Sequence, residues 1–94
     1  MSELRQLNLE DLRKAHFTHH DVFETFEDRF ERQHKLKSAM AQTNADHEPI
    51  SLTIKLADGE LVVYFSNLID YENDFVEVMG GFAIPVKAIV DVGL

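Results

Sequence analysis

The hydrophobic pattern of the chain changes period near its midpoint. Residues 1 to 48 contain neither Gly nor Pro and are rich in Glu, Leu, Lys, Gln and Arg. Apolar side chains recur there at helical spacing, and Val22, Phe23, Phe26, Phe30, Leu36 and Met40 fall within one broad stripe at about 100° per residue. Glu24, Glu27, Asp28, Glu31, Arg32 and Lys35 occupy the other side, where Asp28 and Arg32, and Glu31 and Lys35, are spaced to pair at i,i+4. Thr18, followed three residues later by Asp21, supplies a capping signal for a new helix start. The pattern predicts a short helix from Leu9 to about His16 and a long one from about His19 to Ala41.

From Ile50 the period is two. Ile50, Leu52, Ile54 and Leu56 alternate with Ser51, Thr53 and Lys55, and Asp58-Gly59 is a two-residue hairpin signal before the strand Leu61 to Phe65. A third strand, Phe75 to Met79, meets a second turn signal at Gly80-Gly81, and Phe82 to Ile84 returns as a fourth. Pro85 lacks a ladder donor and belongs at a strand end or edge, and VKAIVDV fits a tight turn with a short fifth strand. A chain of 94 residues is one small domain. It divides into a helical segment over 1–43, a linker over 44–49 and an antiparallel sheet over 50–94.

A helical segment followed by five short strands, with an Asp-Gly hairpin first and a Pro-turn-strand last, is the element order of small SH3-like and Sm-like β-barrels. The predicted fold is therefore α+β, an N-terminal helical segment packed on a small five-stranded antiparallel barrel of that kind. IKLADGELVVYF followed by IPVKAIVDV resembles the bacterial form of that layout, and the tail is most similar to the YolD-like family of small bacterial and phage proteins. That resemblance implies an association with DNA damage tolerance and lesion-bypass polymerases. Sm proteins that bind RNA carry an Asp and an Asn after the second strand. This chain has Asp70, Asn73 and Asp74 there, without the glycine those proteins use in the preceding strand, so the base-binding role does not carry over.

Charge narrows the function classes. The formal net charge is −8, and it is unevenly placed: residues 1–45 hold eight acids and seven bases, whereas residues 46–94 hold nine acids against Lys55 and Lys87. The sheet half thus carries −7, and it lacks the cations that draw nucleic acids by displacing phosphate counterions. With no cysteine, disulfides, thiolate nucleophiles and Cys-based zinc motifs are excluded. No apolar run approaches the roughly 20 residues of a membrane span. The expectation is a soluble, cytoplasmic protein that binds neither membrane nor nucleic acid.

Candidate chemistry is sparse. Were the helix unbroken through Thr18, His16, His20 and Glu24 would form one ridge with Glu27 close by, a plausible zinc or iron ligand set. The simpler reading places these histidines on the solvent-facing rim of the apolar stripe. Asp70, Glu72 and Asp74 mimic the first positions of a calcium loop, but Phe75 and Gly81 stand where that loop needs Gly and Glu. Ser51 near His47 lacks a third group and an oxyanion hole, and no cofactor or phosphate-loop motif is present. The expected function is a non-catalytic interaction or regulatory protein, homo-oligomeric through Phe23, Phe26, Phe30 and Met40, with an unidentified protein partner open to it. The alternatives are an Sm-like RNA- or DNA-binding protein and a histidine-rich helical metal-binding protein.

Overall fold

A computed structural model describes residues 4–72 and 74–93. In chain order the elements are β1 (Arg5–Gln6), α1 (Leu9–Lys14), α2 (Phe26–Asp46), β2 (Ile50–Lys55), β3 (Leu61–Ser66), β4 (Leu68–Tyr71), β5 (Phe75–Val78), β6 (Phe82–Pro85), a 3-10 turn (Val86–Ala88) and β7 (Ile89–Gly93). The chain is α+β, but the strands form two sheets rather than the expected single five-stranded barrel of SH3-like or Sm-like type. One sheet has four strands in the order β1-β3-β2-β7, and the other has three in the order β4-β5-β6.

The division has a local cause at Ser66 and Asn67. The apolar run from Leu61 reads as one strand, yet β3 pairs with β2 up to Ser66 while β4 pairs with β5 from Leu68. At the switch the Ser66 hydroxyl donates to Asn67 O at 2.7 Å and accepts from Met79 N–H at 3.1 Å. It replaces ladder bonds that neither sheet supplies there, so the buried backbone stays paired. The other unexpected strand, β1, is two residues long and lies parallel to β3, with Arg5 opposite Val62. It is held by Leu7 N–H to Val63 O at 2.9 Å and by a two-pronged Arg5–Glu60 pair at 3.0 Å. Two residues carry no period that a sequence pattern could show.

The helical half also differs. The first helix is short and ends at Lys14, with Asn8 and Asp11 forming a capping box at its start. The long helix begins at Phe26, not His19, and continues to Asp46, through half of the expected linker. Thr25 caps it by accepting from Asp28 N–H at 3.2 Å, with Glu27 and Asp28 favourably placed in the first turn. Residues 15–25 are a non-helical strap, because their backbone finds partners in the sheets instead. Phe17 bridges to Leu56, Ala57 N–H donates to His16 O at 2.8 Å, Thr18 N–H to Lys55 O at 3.3 Å and Val22 N–H to Lys87 O at 3.0 Å.

The core lies where the two sheets, α1 and α2 meet. Alternation in β2 buries Ile50, Leu52, Ile54 and Leu56. They join Val62, Tyr64, Leu68, Val76, Val78, Ile84, Ile89 and Val92 from other strands, Leu12 from α1, and Leu36 and Ala39 from α2. The hairpins are one residue looser than predicted. Leu56 N–H reaches Glu60 O at 2.8 Å around Ala57–Gly59, and Gly81 N–H reaches Val78 O at 3.2 Å around Met79 and Gly80 before Phe82 pairs opposite Val78. Pro85 ends β6, an edge strand, where no ladder donor is required.

Gly80 and Gly81 both have positive φ, at 96° and 78°. A Cβ on Gly81 would meet open space, whereas one on Gly80 would come within 2.5 Å of Leu9 Cδ2 in α1. Gly81→Val is expected to destabilise by about 1–3 kcal/mol through backbone strain alone. Gly80→Ala is expected to cost more than Gly81→Ala, because only the former displaces Leu9. Urea denaturation of the three variants checks both statements, and equal costs for the two alanines would show that α1 does not press on this turn.

Candidate interaction surface on helix α2

Helix α2 has a buried face and an aromatic one, and they point different ways. Arg32, Leu36, Ala39 and Thr43, at i, i+4, i+7 and i+11, are buried where α2 packs on β4 and β7. Phe26, Phe30 and His34, at i, i+4 and i+8, run along a ridge on the other side. Phe26 is 75% exposed and Phe30 48%. Their rings stack with centroids 5.8 Å apart, and His34 meets Phe30 edge-on at 4.6 Å. The i,i+4 aromatic contact stiffens the helix by a few tenths of a kcal/mol, but leaves most of Phe26 and about half of Phe30 exposed.

Of the four residues expected to form an interface, the structure brings together Phe26 and Phe30. Phe23 lies in the strap, half-buried beneath the Arg32 guanidinium, whose carbon sits 5.2 Å from the ring centroid. Met40 is half-buried against the core. A helix assumed to start at His19 sweeps Phe23 into line with Phe26. Once the helix starts at Phe26, Phe23 is free to pack elsewhere.

Arg32 is the residue that sequence reasoning misplaced. Its side chain is 6% exposed and forms a two-pronged pair with Asp21 in the strap, both contacts at 2.8 Å. Its Nη1 also donates to Ile89 O in β7 at 3.3 Å. Asp21 accepts from Phe23 N–H at 2.9 Å, and Arg29 reinforces the same corner by donating Nε–H to Phe23 O at 2.8 Å. Lys35 likewise pairs with Asp91 rather than Glu31. The available signal was that Arg32 shares the i,i+4,i+7 frame of Leu36 and Ala39, so a charge stood in the core stripe.

The other candidates are dispersed. His16, His19 and His20 are exposed in the strap, whose non-helical path removes the ridge that would have joined His16, His20 and Glu24. Among the described residues no group of three or more His, Asp or Glu is placed to hold a metal ion. Asp70 lies in β4 opposite Glu77 of β5, Glu72 and Asp74 flank the connection, and Asn73 lies outside the described residues. Ser51 is in β2, and His47 closes α2 in the left-handed conformation at φ 58°. No helix among the described residues is long and apolar enough to cross a membrane. Comparison of the chain with protein-family models, curated proteins and solved structures finds no match.

Burial alone would raise the Asp21 carboxyl. The Arg32 hydrogen bonds, the Phe23 N–H and the charges of Arg32 and Arg29 together outweigh it and hold the group below its ordinary 3.8. A depressed folded-state pKa contributes stability that is present above the unfolded value and lost as pH falls through the folded one. Asp21→Asn is expected to cost about 2–3 kcal/mol at neutral pH, less than for a fully enclosed pair because Asp21 is 19% exposed. The gap between wild type and variant should stay level above about pH 5 and narrow below the ordinary carboxylate value. Denaturant midpoints measured from pH 7 to pH 2.5 check this, and a gap independent of pH would deny the pair its role.

Proposed function

We propose that the protein is a non-catalytic interaction module that associates with a second copy of itself through the Phe26–Phe30–His34 ridge. The observation that carries this reading is the exposure of two stacked phenylalanines on the side of α2 turned away from Leu36, Ala39 and Thr43. Burying such rings is worth far more than leaving them wet.

Charge favours a second copy as the occupant. Helix α2 carries Glu27, Asp28, Glu31 and Asp46 against Arg29, Arg32, Lys35 and Lys37, so four acids balance four bases. The net charge of −8 sits mainly in residues 46–94, and two copies meeting through the neutral helix keep those acidic halves apart. A twofold axis across the ridge would set Phe26 and Phe30 of one copy against the same pair in the other. The two rings are the anchor of such a contact rather than its whole area, since a stable interface buries about 800 Å² per partner. The YolD-like resemblance supplies a setting for the module, DNA damage tolerance in a bacterial or phage cytoplasm.

Light scattering on a sizing column is expected to report a dimer or larger. Phe26→Glu combined with Phe30→Glu should yield a folded monomer, because neither ring belongs to the core. A wild-type chain that stays strictly monomeric at high micromolar concentration would refute self-association. A second expectation concerns nucleic acid. With Arg32 buried and Arg5 and Lys35 in ion pairs, few cations face solvent unopposed. No affinity for DNA or RNA tighter than about 10 μM is expected at physiological salt, against roughly 10⁻⁸ M for specific binders. Tight, salt-sensitive binding in a gel-shift titration would instead favour the nucleic-acid alternative.

A further inference from the structure

Two guanidinium groups and one carboxylate meet where the strap joins α2, and their charges do not balance. Arg32 approaches Asp21 at 2.8 Å and Arg29 approaches it at 3.6 Å, so the trio keeps one net positive charge in a chain of net charge −8. Beside it a cleft of about 210 Å³ opens between α2 and the second sheet, lined by Arg29, Arg32, Gln33, Tyr71 and Val86. No carboxylate lines it. Other concavities differ, one being bordered by Asp28, Glu31 and Asp91 together with Arg32 and Lys35, and another by Asp70, Glu72 and Glu77.

Every polar group in the cleft can donate a hydrogen bond. Arg29 makes its bond and its ion pair through Nε, and its Nη groups belong to a half-exposed side chain. Arg32 commits Nη1 and Nη2 to Asp21, and Nη1 also to Ile89 O, whereas its Nε is buried with no hydrogen-bond partner among the described residues. That N–H has almost no accessible surface, so Arg32 acts on the cleft through its charge rather than through a bond. Burial pushes the Tyr71 phenol above its ordinary value against a smaller downward pull from the Arg32 charge, so its hydroxyl keeps its proton at neutral pH.

We propose that this cleft binds a single oxyanion group, a carboxylate or a phosphate, held by Arg29, Gln33 and Tyr71 and attracted by the charge of Arg32. Charge-assisted bonds from guanidinium groups are the strongest available to such an anion. The volume suits one oxyanion and the atoms attached to it, being smaller than the roughly 300–1,000 Å³ of clefts that enclose a whole drug-sized ligand. The concavity bordered by Asp70, Glu72 and Glu77, which has no basic residue, would repel the same anion.

The test is an NMR titration of the full chain at pH 7 with inorganic phosphate in one arm and acetate in the other, ionic strength being held constant with sodium chloride. Saturable shifts of the Arg29, Gln33 and Tyr71 signals, with a dissociation constant in the millimolar range, are expected in at least one arm. The stronger arm identifies the anion as phosphate or carboxylate. Tyr71→Phe and Gln33→Ala should each weaken binding several-fold while leaving the melting temperature without anion nearly unchanged. The proposal is overturned by non-saturating shifts, by equal shifts on adding chloride alone, or by undiminished affinity in both variants.

Discussion

The two-pronged contact between Asp21 and Arg32 is the constraint on which the arrangement of this protein turns. It fastens a non-helical strap to a long helix and, through Arg32 and Ile89 O, fastens both to the edge of the four-stranded sheet. A guanidinium that is 6% exposed would be strongly unfavourable without its carboxylate, so strap, helix and edge strand must assemble together. The strap in turn reaches Lys55 at the end of β2, Leu56 and Ala57 just after it, and Lys87 in the 3-10 turn. One ion pair therefore coordinates elements that lie far apart in the chain.

That pairing also decides which side of α2 meets the core. With Arg32 turned inward, Leu36, Ala39 and Thr43 follow it by helical geometry, and Thr43 Oγ1 comes within 3.5 Å of Leu68 O in β4. Phe26 and Phe30 are carried outward by the same rotation. An exposed aromatic pair and a buried arginine are thus two consequences of one orientation.

Charge is unevenly distributed over the elements. The acids concentrate in the sheets, while α2 is neutral overall, so the helix is the part of the molecule that a like-charged neighbour can approach. At the junction of strap and helix the balance reverses locally, because Arg29 and Arg32 share Asp21. A small region of positive potential in an acidic protein is where an anion would collect.

The sequence by itself determined the elements with strong local signals: the alternation of Ile50 to Leu56, the positive φ at Gly59, Gly80 and Gly81, and Pro85 at the end of an edge strand. It also marked Phe26 and Phe30 as helical neighbours, since i,i+4 spacing is a property of the helix alone. The start of α2, the break at Asn67, the parallel strand β1 and the orientation of Arg32 were decided by tertiary structure. Each depends on a partner distant in the chain: Lys87 for the strap, Met79 for Ser66, Val62 for Arg5 and Asp21 for Arg32. Local periodicity reports which side chains share a face, but whether that face is covered depends on which distant donors, acceptors and charges find one another.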